Sequence, residues 1–171
     1  MGYKYKKICL GGTFDVHSYD GDIGVHCGHK EFFKHASWLA PELYIGLRDD
    51  KSLKMDSRKK FPDLIKPYRE RERNLKRELK ELGVERYKIV RLKGVYTEYM
   101  LKKNCDIDAI LVTKETLRGA EIINKEKRRR GLRPLAVEII PLKLAEDEKT
   151  KISSKYIRGG EMTPEGKIIT S

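Results

Sequence analysis

The sequence predicts an α/β protein: a single, doubly wound parallel sheet of five strands with helices on its faces. Three observations lead there. Short apolar runs alternate with amphipathic stretches along the whole chain. Neither a repeat nor a low-complexity linker interrupts them. The 171 residues suit one domain, spanning 1–171, with room for a core that needs no disulfide or metal staples.

Ile8-Cys9-Leu10 breaks at Gly11-Gly12 and reads as a buried first strand opening into a loop. Residues 42–47 (ELYIGL) form the second strand and residues 87–92 the third. The fourth, residues 107–113 (IDAILVT), is the most apolar, and residues 135–142 close the set. Between them, residues 26–39 place Phe32, Phe33, Ala36 and Leu39 on one helical stripe. Residues 68–82 carry Leu75, Leu79 and Leu82 against a charged face and stop at Gly83, which suits a left-handed cap. A short helix is expected over 96–103, and another over 117–130 that ends at Gly131. Ligands of such sheets bind beyond the carboxyl ends of the strands, where strand order reverses. The loops after Leu10, Leu47, Leu92, Val112 and Leu142 are therefore the ones to inspect.

Charged residues make up 37% and hydrophobic residues 39%, the mix of a foldable and highly charged globular chain. No apolar run approaches the ~20 residues of a membrane span. Lys4, Lys6 and Lys7 precede no apolar signal region, so a cytoplasmic protein without a membrane partner is expected. Cys9, Cys27 and Cys105 are odd in number and far apart, which argues against a disulfide framework or a thiolate zinc cage. The net charge of +12 favours polyanions: nucleic acid, nucleotides, phosphorylated metabolites or an anionic membrane. Glutamine is absent and asparagine occurs only at 74, 104 and 124, a composition found in heat-adapted proteins.

Two loops carry chemistry. In the first, Gly11-Gly12-Thr13-Phe14-Asp15 is followed by His26-Cys27-Gly28-His29. Small residues after the first strand let a ligand approach the backbone. A helix starting near His26 puts both imidazoles on one face, where free N–H groups and the positive dipole end attract phosphate. The bland alternative is one capping histidine and one packing histidine. A zinc site from His26, Cys27 and His29 is weaker, because adjacent helical residues splay apart. In the second loop, Ile152-Ser153-Ser154-Lys155-Tyr156-Ile157-Arg158 begins a short helix. One serine caps it; hydroxyls, N–H groups and the Arg158 guanidinium together suit terminal phosphates. The basic run Lys125-Glu126-Lys127-Arg128-Arg129-Arg130 reads as a solvated helix end.

Together, Gly-Gly-Thr-Phe-Asp, His-x-Gly-His and Ile-Ser-Ser-x-x-Ile-Arg resemble the pattern of the nucleotidyltransferase superfamily, with its Rossmann-like fold. More narrowly, the chain resembles the archaeal and eukaryotic type of phosphopantetheine adenylyltransferase. The narrowing features are Val112-Thr113-Lys114-Glu115-Thr116, Ile123-Asn124, Arg129-Arg130-Gly131-Leu132-Arg133-Pro134-Leu135, Ala145-Glu146-Asp147 and Gly160-Glu161. The likeness runs from about residue 7 to residue 166. Three departures stand out. About eight residues, roughly 17–24, are inserted before the first histidine, which makes His17 a rival for a ligand-facing role and lets the loop cover part of the site. Thr113 replaces a serine. Lys155-Tyr156 replaces Thr-Arg.

The resemblance implies transfer of the adenylyl group of ATP to 4′-phosphopantetheine, giving dephospho-coenzyme A and pyrophosphate without a covalent enzyme intermediate. It places Thr13 and the Phe14 backbone, after Gly12, at the reacting phosphates. His29 meets the α-phosphate and His26 the polyphosphate. Ser153, Ser154 and Arg158 meet the β- and γ-phosphates, and Thr113 and Glu115 face the nucleotide. Lys59 or Lys60 and Arg71 are candidates for the substrate phosphate. Mg2+ is expected, held mainly by ATP oxygens. Asp15 is left open between orienting a backbone or histidine group and meeting a metal. Competing readings are a sister enzyme using FMN, nicotinamide mononucleotide or an alcohol phosphate, and an RNA-binding module. The second lacks any recognised motif of interleaved basic and aromatic residues, so no nucleic-acid partner is expected.

Overall fold

The computed structural model describes residues 2–18 and 23–170. The chain divides into two compact units. The first comprises Met1–Gly12, His35–Asp49 and Arg86–Pro141; the second comprises Thr13–Lys34, Asp50–Glu85 and Leu142–Ser171.

The first unit holds the five-stranded parallel sheet. Its strands are β1 (Lys7–Gly12), β4 (Glu42–Arg48), β5 (Tyr87–Leu92), β6 (Ala109–Val112) and β7 (Ala136–Ile139). Their order across the sheet is β5-β4-β1-β6-β7, so the winding reverses at β1, as a doubly wound sheet requires. β1 pairs with β4 from Lys7↔Glu42 to Gly12↔Leu47, and with β6 at Ile8↔Ala109 and Cys9↔Ile110. The inner strands are continuous apolar runs because both faces are covered: Ile8, Cys9, Leu10, Leu43, Ile45, Leu47 and all of β6 are buried. The edge strands β5 and β7 keep exposed positions.

Gly11 lies opposite Gly46, and a Cβ on Gly46 would come within 3.1 Å of Leu92 Cδ2. Helix α4 (Leu117–Arg129) adds Ala120 and Ile123 to the cluster formed by Cys9, Tyr44, Ile110, Val112 and Leu135. Asn124 pins this helix: Nδ2 donates to Leu135 O at 2.9 Å and Oδ1 accepts from Leu135 N at 2.8 Å.

Helices are the main regular elements of the second unit. It contains a short hairpin of β2 (His17–Ser18) and β3 (Ile23–Gly24), and the first turns of α1 (Cys27–Leu39), whose last residues belong to the first unit. It also contains α2 (Asp50–Lys54), α3 (Tyr68–Glu81) and α5 (Ser154–Arg158). Tyr68, Arg71, Asn74, Leu75, Glu78 and Leu79 form the buried stripe of α3. The buried Glu78 faces Lys30 at 3.5 Å. Ala145, Ile152 and Met162 make a satellite core under α5. Residues 19–22, the middle of the inserted segment, lie outside the described residues.

Several expectations are corrected. Residues 96–103 hold only one 3₁₀ turn, Glu98–Leu101, with Met100 and Leu101 buried; so short a segment does not repay helix nucleation. The fifth strand is Ala136–Ile139, shorter than residues 135–142, since Pro141 has no N–H to continue the ladder. Helix α2 is unforeseen because one buried residue, Leu53, makes no periodicity. The basic run is not wholly solvated: Lys127 is buried and its Nζ donates to Met100 O at 2.9 Å. Gly83 (φ 71°) and Gly131 (φ 67°) end α3 and α4 in the left-handed region, with Val84 N→Leu79 O and Leu132 N→Lys127 O both at 2.8 Å.

Asn124→Ala strands the Leu135 N–H and C=O in the core, and should cost about 1–3 kcal/mol. A lower midpoint in denaturant with an unchanged slope is the expected result.

Candidate active site

The turn after β1 is built under strain. Phe14 sits at φ 45°, uncommon for a bulky residue, and its ring is buried. That ring packs on Phe33 at 4.9 Å and meets His29 edge-on at 5.0 Å. Polar bonds hold the neighbouring backbone. Arg71, wholly buried, donates from Nη1 to Thr13 O at 2.8 Å, from Nε to Lys66 O at 2.7 Å and from Nη2 to Asp50 Oδ1 at 2.8 Å. Lys59 Nζ donates to Thr13 Oγ1 at 3.0 Å. A hydroxyl that accepts there keeps its own O–H as a donor in another direction.

Asp15 is 0% exposed and makes three bonds. Oδ1 accepts from Val16 N at 2.9 Å and from Lys66 N at 3.1 Å; Oδ2 accepts from Arg158 Nη1 at 2.6 Å. Of the uses left open for Asp15, the structure displays backbone orientation, and it adds a partner that sequence reasoning missed. Arg158 also donates from Nη2 to Lys60 O at 3.1 Å, and its Nε is buried without a partner. Lys60 therefore contributes a carbonyl here, while its neighbour Lys59 brings the ammonium to Thr13.

The histidines gather at the start of α1. His26 caps the helix: its O accepts from His29 N at 2.9 Å, and its Nδ1 accepts from the same N–H at 3.3 Å. The His26 proton consequently sits on Nε2. The His26 and His29 rings stack at 3.9 Å with 20° between planes. Gly28 makes this possible, since a Cβ there would lie 3.1 Å from His26 Nδ1. His29 Nδ1 is buried without a partner. A buried N–H with no acceptor is costly, so this ring also carries its proton on Nε2. Cys27 turns away, Sγ donating to Glu165 O at 3.4 Å.

The two serines divide the work. Ser153 caps α5, its Oγ accepting from Lys155 N at 3.3 Å. The Ser154 hydroxyl instead meets His17 Nε2 at 2.9 Å. His17 is buried, and its ring lies 6.1 Å from that of His26 with 23° between planes. Three imidazoles and Ser154 thus lie together in one compact unit.

Burial dominates their titration. Desolvation pulls His17 below the ordinary range, pulls His26 well below it and lowers His29 to about 3, with neighbouring cations and imidazoles adding to the effect. All three are neutral donors or acceptors at neutral pH.

In the first unit, Gly12 ends β1, and Thr113 directly follows β6 with its N–H donating to Thr116 Oγ1 at 3.0 Å. Glu115 is exposed. Among the described residues, no three His, Cys, Asp or Glu side chains converge in a manner that could hold a metal ion, and Asp15 already accepts three hydrogen bonds from protein donors. No described helix is long and apolar enough to cross a membrane.

No family model matches the chain. It is 35% identical over 170 residues to the phosphopantetheine adenylyltransferase of Pyrococcus furiosus, covering 99% of this chain and 97% of that one. The protein of the same name from Methanopyrus kandleri is 32% identical over 157 residues, covering 91% and 90%. The one from Saccharomyces cerevisiae is 31% identical over 163 residues, covering 91% of this chain and 48% of the yeast protein. Among solved structures, an Archaeoglobus fulgidus protein of unknown function matches with a TM-score of 0.60 at 26% identity, over 78% of this chain and 88% of that one. Pantothenate synthetase from Thermus thermophilus matches with a TM-score of 0.53 at 13% identity, over 90% and 62%, which shows a common fold alone.

The desolvated imidazoles set a pH dependence. Their folded-state affinity for protons lies below that of the unfolded chain, so stability is complete above about pH 6.5. It falls as pH drops toward about 3, because only the unfolded state takes up protons. Thermal melts over that range should show the decline, shallower in His29→Gln. Identical profiles for the two proteins would contradict it.

Proposed function

We propose that this chain, which belongs to the phosphopantetheine adenylyltransferase family, transfers the adenylyl group of ATP to 4′-phosphopantetheine, giving dephospho-coenzyme A and pyrophosphate. In this reading the 171 residues form one nucleotidyltransferase domain of a cytoplasmic enzyme with no nucleic-acid or membrane partner. A phosphate oxygen of the acceptor attacks the α-phosphorus in line. The bond from that phosphorus to the oxygen bridging to the β-phosphorus breaks, and pyrophosphate leaves. Such transfers depend on positioning and charge stabilisation rather than on an enzyme nucleophile.

The observation that carries the reading is the stack of His26 on His29, with the His29 ring set edge-on against Phe14 in the strained turn after β1. His29 serves the α-phosphate, where charge builds in the transition state, and His26 serves the polyphosphate. Thr13, the Phe14 backbone and Lys59 hold the reacting phosphates. Ser153, Ser154 and Arg158 bind the β- and γ-phosphates, with Arg158 kept in place by Asp15. Arg71 acts through the Thr13 carbonyl, and Lys60 through the carbonyl that Arg158 grips. Gly12, Thr113 and Glu115 are carried over to the nucleotide on the family pattern.

Enzymes of this kind use a divalent metal with ATP, and Mg2+ is the ion assigned here. Among the described residues no group of side chains forms a cage for it, so it would be held mainly by the nucleotide's oxygens, where it would screen phosphate charge.

The decisive test is release of pyrophosphate and dephospho-coenzyme A from ATP and 4′-phosphopantetheine. Turnover with FMN or nicotinamide mononucleotide and none with phosphopantetheine would overturn the assignment. His29→Ala should lower kcat by about 10²–10³-fold, because the lost donor acts chiefly in the transition state. Its ATP affinity by calorimetry should stay close to wild type, and a matching loss of binding would remove His29 from that role.

A further inference from the structure

The inserted segment between Asp15 and His26 interrupts the family pattern, yet it delivers a polar side chain to the middle of the histidine cluster. We propose that His17 is a positioning residue for the polyphosphate. It holds the Ser154 hydroxyl so that the serine O–H is presented to a phosphate oxygen. This rests on the adenylyl-transfer reading for the identity of the nucleotide.

The two serines have different partners. Ser153 already caps α5, so Ser154 has no capping task, and its hydroxyl is held by His17 Nε2 at 2.9 Å. That bond has two orientations. If the serine donates to Nε2, its hydrogen is committed and a polyanion meets only oxygen lone pairs. If Nε2–H donates to Oγ, the serine hydrogen points onward as a donor. A polyphosphate accepts and does not donate, so its binding selects the second arrangement. His17 then carries its proton on Nε2, the tautomer assigned to His26 and His29.

Packing alone does not call for a histidine at this position. The neighbouring buried residues Val16 and Val25 are apolar, and Gly24 pairs with His17 across the hairpin. A buried imidazole without a polar partner would be a burden there. The partner it finds lies 137 residues away in sequence, on the segment that carries Arg158. The alignment is fixed from both sides. Asp15, two residues earlier, is tied to Arg158 at 2.6 Å, and the His17 ring runs parallel to that of His26.

The test compares two amides. Gln places its amide nitrogen near the position of the imidazole Nε2, while Asn places its own near Nδ1 and does not reach Ser154. Both are polar and close in size, so both report even if His17→Ala fails to fold. Isothermal calorimetry with ATP alone should show His17→Gln within about twofold of wild type and His17→Asn weaker by about tenfold, as expected for a lost hydrogen bond. With phosphopantetheine, KM for ATP should rise in His17→Asn while kcat at saturating ATP holds. Ser154→Ala combined with His17→Asn should lose no more than Ser154→Ala alone. Equal ATP affinities for the Gln and Asn variants, or losses that add in the double variant, would overturn the proposal. Since the binding arm needs no acceptor, a wild type that binds ATP but ignores phosphopantetheine would sink the reaction reading and leave this assignment to be judged by the amide pair.

Discussion

A single buried carboxylate organises the candidate site. Asp15 joins three segments that are distant in sequence: the turn after β1 through Val16 N, the approach to α3 through Lys66 N, and α5 through Arg158. A charge removed from water this completely is tolerated only because every bond is made to a donor, one of them a guanidinium. Removing one partner would leave the other charge buried and alone, at a cost of roughly 3–5 kcal/mol. Arg71, also wholly buried, does the same for the adjoining carbonyl of Thr13. Together the two residues hold a turn whose Phe14 backbone would not adopt φ 45° unaided.

In the proposed mechanism the imidazoles act as oriented dipoles rather than as cations. Burial and mutual proximity keep them neutral, and the His26 cap together with the unpartnered Nδ1 of His29 sets their protons on Nε2. Donors fixed before the ligand arrives need no reorganisation as charge develops, and the low-dielectric setting increases what each contributes. The positive charge comes from elsewhere, chiefly from Lys59 at Thr13 and from the Arg158 guanidinium shared with Asp15.

The sequence by itself determined the sheet and most of the helices. Short apolar runs alternating with amphipathic stretches suit strands covered on both faces, and Gly83 and Gly131 mark left-handed helix ends that other residues reach at a cost. It also singled out the histidines, the serine pair and Arg158, because those residue types at helical spacing have a local chemical meaning. It could not show what each would bond to. That His17 holds Ser154, that Asp15 rather than solvent faces Arg158, and that Lys59 and not Lys60 brings its ammonium to Thr13 were decided by tertiary structure. The physical reason is range. Helical spacing and apolar runs are local patterns along the chain, whereas the Asp15–Arg158 pair spans 143 residues and exists only once the chain has folded back on itself.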